Sequence, residues 1–134
     1  MWKNIAVSIG FIALLLLTTG CQLTPPSFSI TAGNVGSAFA ASETTLLYAH
    51  EGKITYAYAA SSFVNFQSEL NGADQTLASS QGTPDASTMH QLLILYQRAM
   101  RVVNAPCLND ICNWHAQLTV LDRASKAFIK AGNS

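Results

Sequence analysis

Two cysteines and a histidine fall within ten residues near the C-terminal end, in PCLNDICNWH (Pro106–His115). Haem attachment needs the histidine directly after the second cysteine, where it serves as axial ligand. Asn113 and Trp114 intervene, and the cysteines are five apart in number, so that chemistry is excluded. Zinc is better served. Cys112 and His115, at i and i+3, would share one helical face, and Cys107 could join from a loop. A structural zinc site usually takes four protein ligands, and His50 or His90 would have to supply the last, with no spacing that favours either. A catalytic redox pair would prefer C-x-x-C spacing. A structural Cys107–Cys112 disulfide is the remaining reading.

Other reactive patterns are thinner. HEGKI (His50–Ile54) begins like the H-E-x-x-H zinc-protease motif, but Ile54 occupies the place of the second ligand. No G-x-S-x-G, P-loop or dinucleotide-binding glycine pattern occurs. The carboxylates Glu43, Glu51, Glu69, Asp74, Asp85, Asp110 and Asp122 are scattered. No catalytic residue, metal site or cofactor is therefore expected. Tyr48, Tyr56 and Tyr58 would either pack at a helix interface or form an exposed aromatic patch for a partner.

The start of the chain bears on the compartment. In MWKNIAVSIGFIALLLLTTGC, Lys3 supplies a positive n-region and Ile5–Leu17 an apolar run of 13 residues. That is the length of a signal-peptide h-region and short of the roughly 20 apolar residues of a membrane span. The polar, proline-bearing QLTPPSFSIT follows, so no stop-transfer pattern is present. Leu17-Thr18-Thr19-Gly20-Cys21 resembles the lipobox of bacterial lipoproteins: small or apolar residues, then Gly, then an obligatory Cys. Thr18 stands where Leu is usual. The resemblance covers residues 1–21. It implies that Cys21 becomes the mature N-terminus, carrying a thioether-linked diacylglycerol and an N-acyl chain such as palmitate. Two anchoring signals are what stable membrane binding takes. Gln22, rather than Asp, follows the cysteine; by the same resemblance this implies sorting to the outer membrane, facing the periplasm. An A-x-A site at Ala38-Phe39-Ala40 lies too far beyond the h-region for ordinary cleavage. Exported thiols tend to pair in an oxidising compartment. With Cys21 taken by lipid, Cys107 and Cys112 remain as an even pair. Pro106 and Asn109-Asp110 make a bend that could bring them together. His115 then needs no special role.

The elements that must position this corner follow from pattern. Without residues 1–20 the chain has 114 residues, enough for one small domain. Six basic and seven acidic side chains remain, and no basic stripe offers a footprint for nucleic acid. Charged residues make up 10% of the chain against about 25% in typical domains, so the polar surface must come from Ser, Thr, Asn and Gln. Residues 21–41 read as the lipidated N-terminus and a flexible linker. Pro25-Pro26, Gly33 and Gly36 interrupt any period, and about 20 flexible residues would reach about 25 Å. Residues 42–134 read as the helical domain.

Tyr56, Ala59/Ala60, Phe63, Phe66, Leu70, Ala73 and Leu77 recur at helical spacing. A helix over about 43–79 with Ser42 as N-cap, with room for a kink near Gly52, is the favoured reading. A β-hairpin over TTLLYAHEGKITYAY is the alternative. Ser80–Pro84 breaks the chain, with Thr83 and Pro84 suited to open the next helix. Met89, Leu92/Leu93, Tyr96, Ala99/Met100 and Val103 form its stripe, and Pro106 ends it. Asp110 is expected to cap a third helix with the seam Ile111, Trp114, Leu118, Leu121, Ser125 and Phe128, and Gly132 to close it. The expected fold is all-α, a small antiparallel three-helix bundle after a signal peptide and tether. The expected function is non-enzymatic: a membrane-anchored periplasmic lipoprotein, held to the bilayer through acylated Cys21, that binds another envelope protein. In size and layout it resembles secretion-system pilotins, small lipoproteins that chaperone an outer-membrane channel. The alternative is an inhibitor, immunity or exclusion lipoprotein acting against phage, plasmid transfer or toxin.

Overall fold

The computed structural model describes residues 24–134. Five helices follow in order: α1 Phe28–His50, α2 Tyr56–Leu70, the short α3 Ala73–Ser79, α4 Ala86–Asn104 and α5 Trp114–Gly132. The described chain is all-helical. Its bundle has four long helices where the sequence predicts three.

The extra helix is α1, and it runs through most of the stretch read as linker. Ser27 caps it, accepting the Ile30 N–H at 3.3 Å, and the helix then continues across the expected boundary at residue 42. Ser42 is no N-cap: it is fully buried in mid-helix and donates to the Ala38 carbonyl at 2.8 Å. Val35, Gly36, Ala38, Phe39 and Ser42 are all buried, more than one face of a helix. A helix covered on most sides carries little amphipathic signal, and α1 packs against α2, α3 and α5.

The helix expected over 43–79 is broken twice. After His50 the chain turns through Gly52 at φ +71°, a left-handed conformation that costs a Cβ-bearing residue about 1 kcal/mol or more. Thr55 then caps α2 by accepting the Tyr58 N–H at 3.1 Å. Asn71-Gly72 separates α2 from α3. The apolar stripe persists across that break, with Ala59, Phe63, Leu70 and Leu77 buried. The hairpin alternative does not form, since the described residues contain no strand.

Three further caps lie downstream of their predicted positions. Asp85, not Thr83, opens α4. It accepts the Thr88 N–H at 3.0 Å and the Thr88 hydroxyl at 2.8 Å, and these bonds hold its carboxyl below the usual range. Asn113, not Asp110, opens α5, accepting the Ala116 N–H at 3.0 Å. Asn133, not Gly132, is the C-cap.

α1 and α5 run antiparallel. Ser29 near the start of α1 donates to the Gly132 carbonyl at 2.7 Å, and His50 at its end stacks on Trp114 at the start of α5. α2 and α4 are also antiparallel, because Gln67 donates to the Val103 carbonyl at 3.0 Å and Tyr96 to the Leu70 carbonyl at 2.6 Å. Phe39 joins the layers, with ring centroids 6.1 Å from Tyr96 on α4 and 6.0 Å from Phe128 on α5. The chain entering α1 is tied down: the Phe28 N–H donates to the Gln81 carbonyl at 2.8 Å, and the Gln81 N–H to that of Pro26 at 3.3 Å.

Candidate functional site

The corner between α4 and α5 gathers most of the residues singled out by type. Cys107 and Cys112 are bonded, with their Cα atoms 5.8 Å apart. Six residues, Cys107–Cys112, thus form a covalently closed loop whose two ends differ. Cys107 is buried at 3% exposure, whereas Cys112 is exposed. The loop also explains the displaced cap. A regular helix would turn residues five apart away from each other, so α5 begins only beyond the bridge.

The Cys107 peptide is held from both sides. Its N–H donates to Gln117 Oε1 at 2.7 Å, and the same Gln117 amide donates to the Ala105 carbonyl at 3.1 Å. The Cys107 carbonyl accepts from His50 Nε2 at 2.6 Å. That bond places a proton on Nε2, because a carbonyl cannot donate. In the neutral ring Nδ1 is left as acceptor, with the Tyr56 hydroxyl 3.4 Å away and Asp110 Oδ1 at 3.9 Å. The His50 side chain is 2% exposed. Its ring lies flat on Trp114, with centroids 4.2 Å apart and planes 2° from parallel, and meets Tyr56 at 5.5 Å edge-on. His115 covers the other side of Trp114 at 3.7 Å.

No spacing in the sequence points to His50 in this role, since 57 positions separate it from Cys107. The zinc arrangement does not assemble. Both cysteines are spent on the disulfide, and His90 is exposed in the first half of α4, toward the other end of that helix. Among the described residues no group of three or more His, Cys, Asp or Glu side chains is placed to hold a metal ion. Cys21 and the lipobox lie outside the described residues.

The crown of the loop faces solvent. Ile111 is 96% exposed, so it takes no part in the α5 seam predicted for it, and the Asp110 side chain is 93% exposed. Asn109 Oδ1 accepts the Ile111 N–H at 2.9 Å and fixes the turn. The three tyrosines considered for a partner patch are not core residues: Tyr48, Tyr56 and Tyr58 are 40%, 39% and 64% exposed. Lys53 lies 4.6 Å from the centroid of the Tyr48 ring, a cation–π contact.

No protein-family model, curated protein or solved structure matches the chain. The reading of the site therefore rests on its own geometry. A concavity of about 360 Å³ lies away from this corner, by the start of α1 and the α2–α3 junction, lined by Pro26, Asn34, Val35, Glu69, Asn71 and Thr76 among others. Glu69 is its one ionisable side chain, so it offers no acid–base pair. No described helix is long and apolar enough to cross a membrane.

Proposed function

We propose that the chain is a lipoprotein, acylated at Cys21 and exported to the periplasmic face of the outer membrane, where it serves as a non-enzymatic accessory that binds another envelope protein. The observation that supports this most is the separation of the bundle's two ends. Chain from Cys21 joins the bundle at Ser27, where Gln81 pins it. Six residues cover that distance, at most about 20 Å when extended. The braced disulfide corner lies at the opposite end of α1. A helix of 23 residues is about 34 Å long. A short anchor at one end and rigid, partly exposed aromatic and apolar groups at the other suit a protein that presents a surface away from a bilayer.

Cell fractionation with Cys21→Ser tests the anchor. Wild type is expected in the outer-membrane fraction with a mass increase from its acyl chains, and the variant in the soluble or uncleaved pool. A soluble, unlipidated wild type would sink the proposal. Detergent-extracted wild type should also co-purify with a defined envelope complex that is mislocalised when the gene is deleted. If host complexes stay intact and only susceptibility to an invader changes, the inhibitor or exclusion reading takes its place.

A further inference from the structure

We propose that the Cys107–Cys112 loop is a docking knob: Ile111 enters an apolar socket on a partner protein whose rim carries a basic side chain facing Asp110. The proposal rests on the accessory-lipoprotein reading and names its contact surface.

An exposed apolar residue is ordinary on a protein surface, and Ile30 and Val64 are examples at 62% and 60% exposure. Those two ride on helix faces. Ile111 differs in how its backbone is held. The loop is closed covalently. Its base is fixed by Gln117 on α5 and by the buried His50 of α1, and Asn109 fixes the peptide N–H of Ile111 itself. Four constraints, the disulfide, Gln117, His50 and Asn109, thus converge on six residues whose apex side chain, Ile111, is 96% exposed, and whose Asp110 carboxylate comes no closer than 3.9 Å to His50 Nδ1. Binding normally costs loop and side-chain ordering, and a pre-ordered loop avoids most of that cost.

Charge and position select the occupant. An anionic bilayer surface would repel the exposed carboxylate of Asp110, and the chain's own anchor joins the other end of the bundle. A protein socket with a cation at its rim satisfies both the side chain and the charge. Tyr56, edge-on to His50 and 39% exposed, supplies an aromatic residue beside the knob, as is common at contact surfaces.

The test uses the full-length, lipidated protein in cells, with benzoylphenylalanine in place of Ile111 and, as a control, of Val64. Irradiation should give one discrete protein adduct from position 111 and none of that mass from position 64. The adduct partner, identified by mass spectrometry and purified, is then titrated against the protein and its variants. Ile111→Asp should weaken binding by about 30-fold or more, the scale of an interface hot spot. Asp110→Lys should weaken it by about tenfold at low salt and reverse its salt dependence, since added salt then screens a repulsion. Val64→Asp should change it less than about twofold, as expected outside the interface. An adduct to lipid or to a second copy of the chain overturns the proposal, as does unaltered affinity of Ile111→Asp. If an envelope complex still co-purifies but position 111 gives no adduct, the knob is wrong and the accessory reading survives. If nothing co-purifies and the wild type is not membrane-bound, both fall.

Discussion

Helices α1 and α5 meet along the Gly36–Ile129 crossing through missing atoms and at the His50–Trp114 corner through added bonds. At the crossing, a Cβ on Gly36 would lie 2.7 Å from Ile129 Cγ1, 2.8 Å from its backbone nitrogen and 3.0 Å from the Ser125 carbonyl oxygen. A Cβ on Gly132 would lie 2.8 Å from the Gly33 nitrogen and 2.9 Å from the Ser29 oxygen. The two backbones approach because these side chains are absent. At the corner His50 of α1 stacks on Trp114 of α5 and donates to the Cys107 carbonyl of the disulfide loop, whose base Gln117 of α5 holds in turn. Glycine-rich chain is thus not flexible chain by default. Flexibility and close approach are read from the same residue type, and only the partner tells them apart.

The largest expected effect tests that distinction. Gly36→Ala should destabilise by about 2–3 kcal/mol, because the new methyl group meets backbone that cannot rotate away. Gly33→Ala should do the opposite. A Cβ there meets nothing within 4 Å, and alanine in a helix interior is favoured over glycine by about 0.5–1 kcal/mol. Opposite signs three residues apart, measured by urea unfolding, would establish the seam. If residues 28–41 were tether, both variants would match wild type.

At the corner, replacing Cys107 and Cys112 together by serine should cost about 2 kcal/mol, the chain-entropy value for so small a loop. Non-reducing against reducing thermal melts of the wild type should reproduce the difference. Gln117→Ala should cost about 1–2 kcal/mol, because it strands the N–H of a nearly buried peptide. The two losses should not add, since both act on the Cys107 peptide. A strictly additive triple variant would show that the bridge and the amide brace separate things. The single Gly36→Ala is expected to equal or exceed either corner change, making the unremarkable stretch the more sensitive one.

The legibility of the sequence divides along the same line. α4 and α5 each bury one stripe and expose the rest, so Leu92, Tyr96, Ala99 and Val103, and Leu121, Ser125 and Phe128, were readable from spacing and are buried as predicted. The disulfide was readable from the spacing of Cys107 and Cys112 around Pro106 and Asn109-Asp110, and from the even pair that the lipobox resemblance leaves once Cys21 is set aside. α1 was not, because packing on three sides removes the periodicity that marks a surface helix, and its glycines mimic a linker. Ser42, Thr83 and Asp110 were each chemically able to cap, yet Ser27, Asp85 and Asn113 do so. Local competence did not decide those positions; the long-range tie at Gln81 and the short covalent loop closed by the disulfide helped to set where α1 and α5 begin. His50 had no local signal at all, since its partners come from α2, the loop and α5.

The smallest expected effect concerns the one Asp, Glu, Lys or Arg within α1, Glu43. Burial raises its carboxyl above the ordinary value, the Asp122 carboxylate on α5 raises it further, and Lys126 offsets part of this. Lys126 is already engaged, with its Nζ 2.8 Å from Asp122 Oδ1. A folded-state pKa above the unfolded one means that the folded chain binds this proton more tightly. The ionised carboxylate therefore costs stability above its raised pKa, and the cost fades as the pH falls through that pKa towards the unfolded value. Glu43→Gln should accordingly stabilise by a few tenths of a kcal/mol at pH 7, a small figure because the group is only partly shielded from solvent. The advantage should vanish once both states of the wild type are protonated. Paired urea titrations at neutral and acid pH read this directly. Destabilisation at pH 7 would mean that attraction to Lys126 outweighs burial and Asp122. The seam would then hold α1 to α5 partly by charge, as the corner does by hydrogen bonds, and the contrast between the two regions would narrow to the glycines alone.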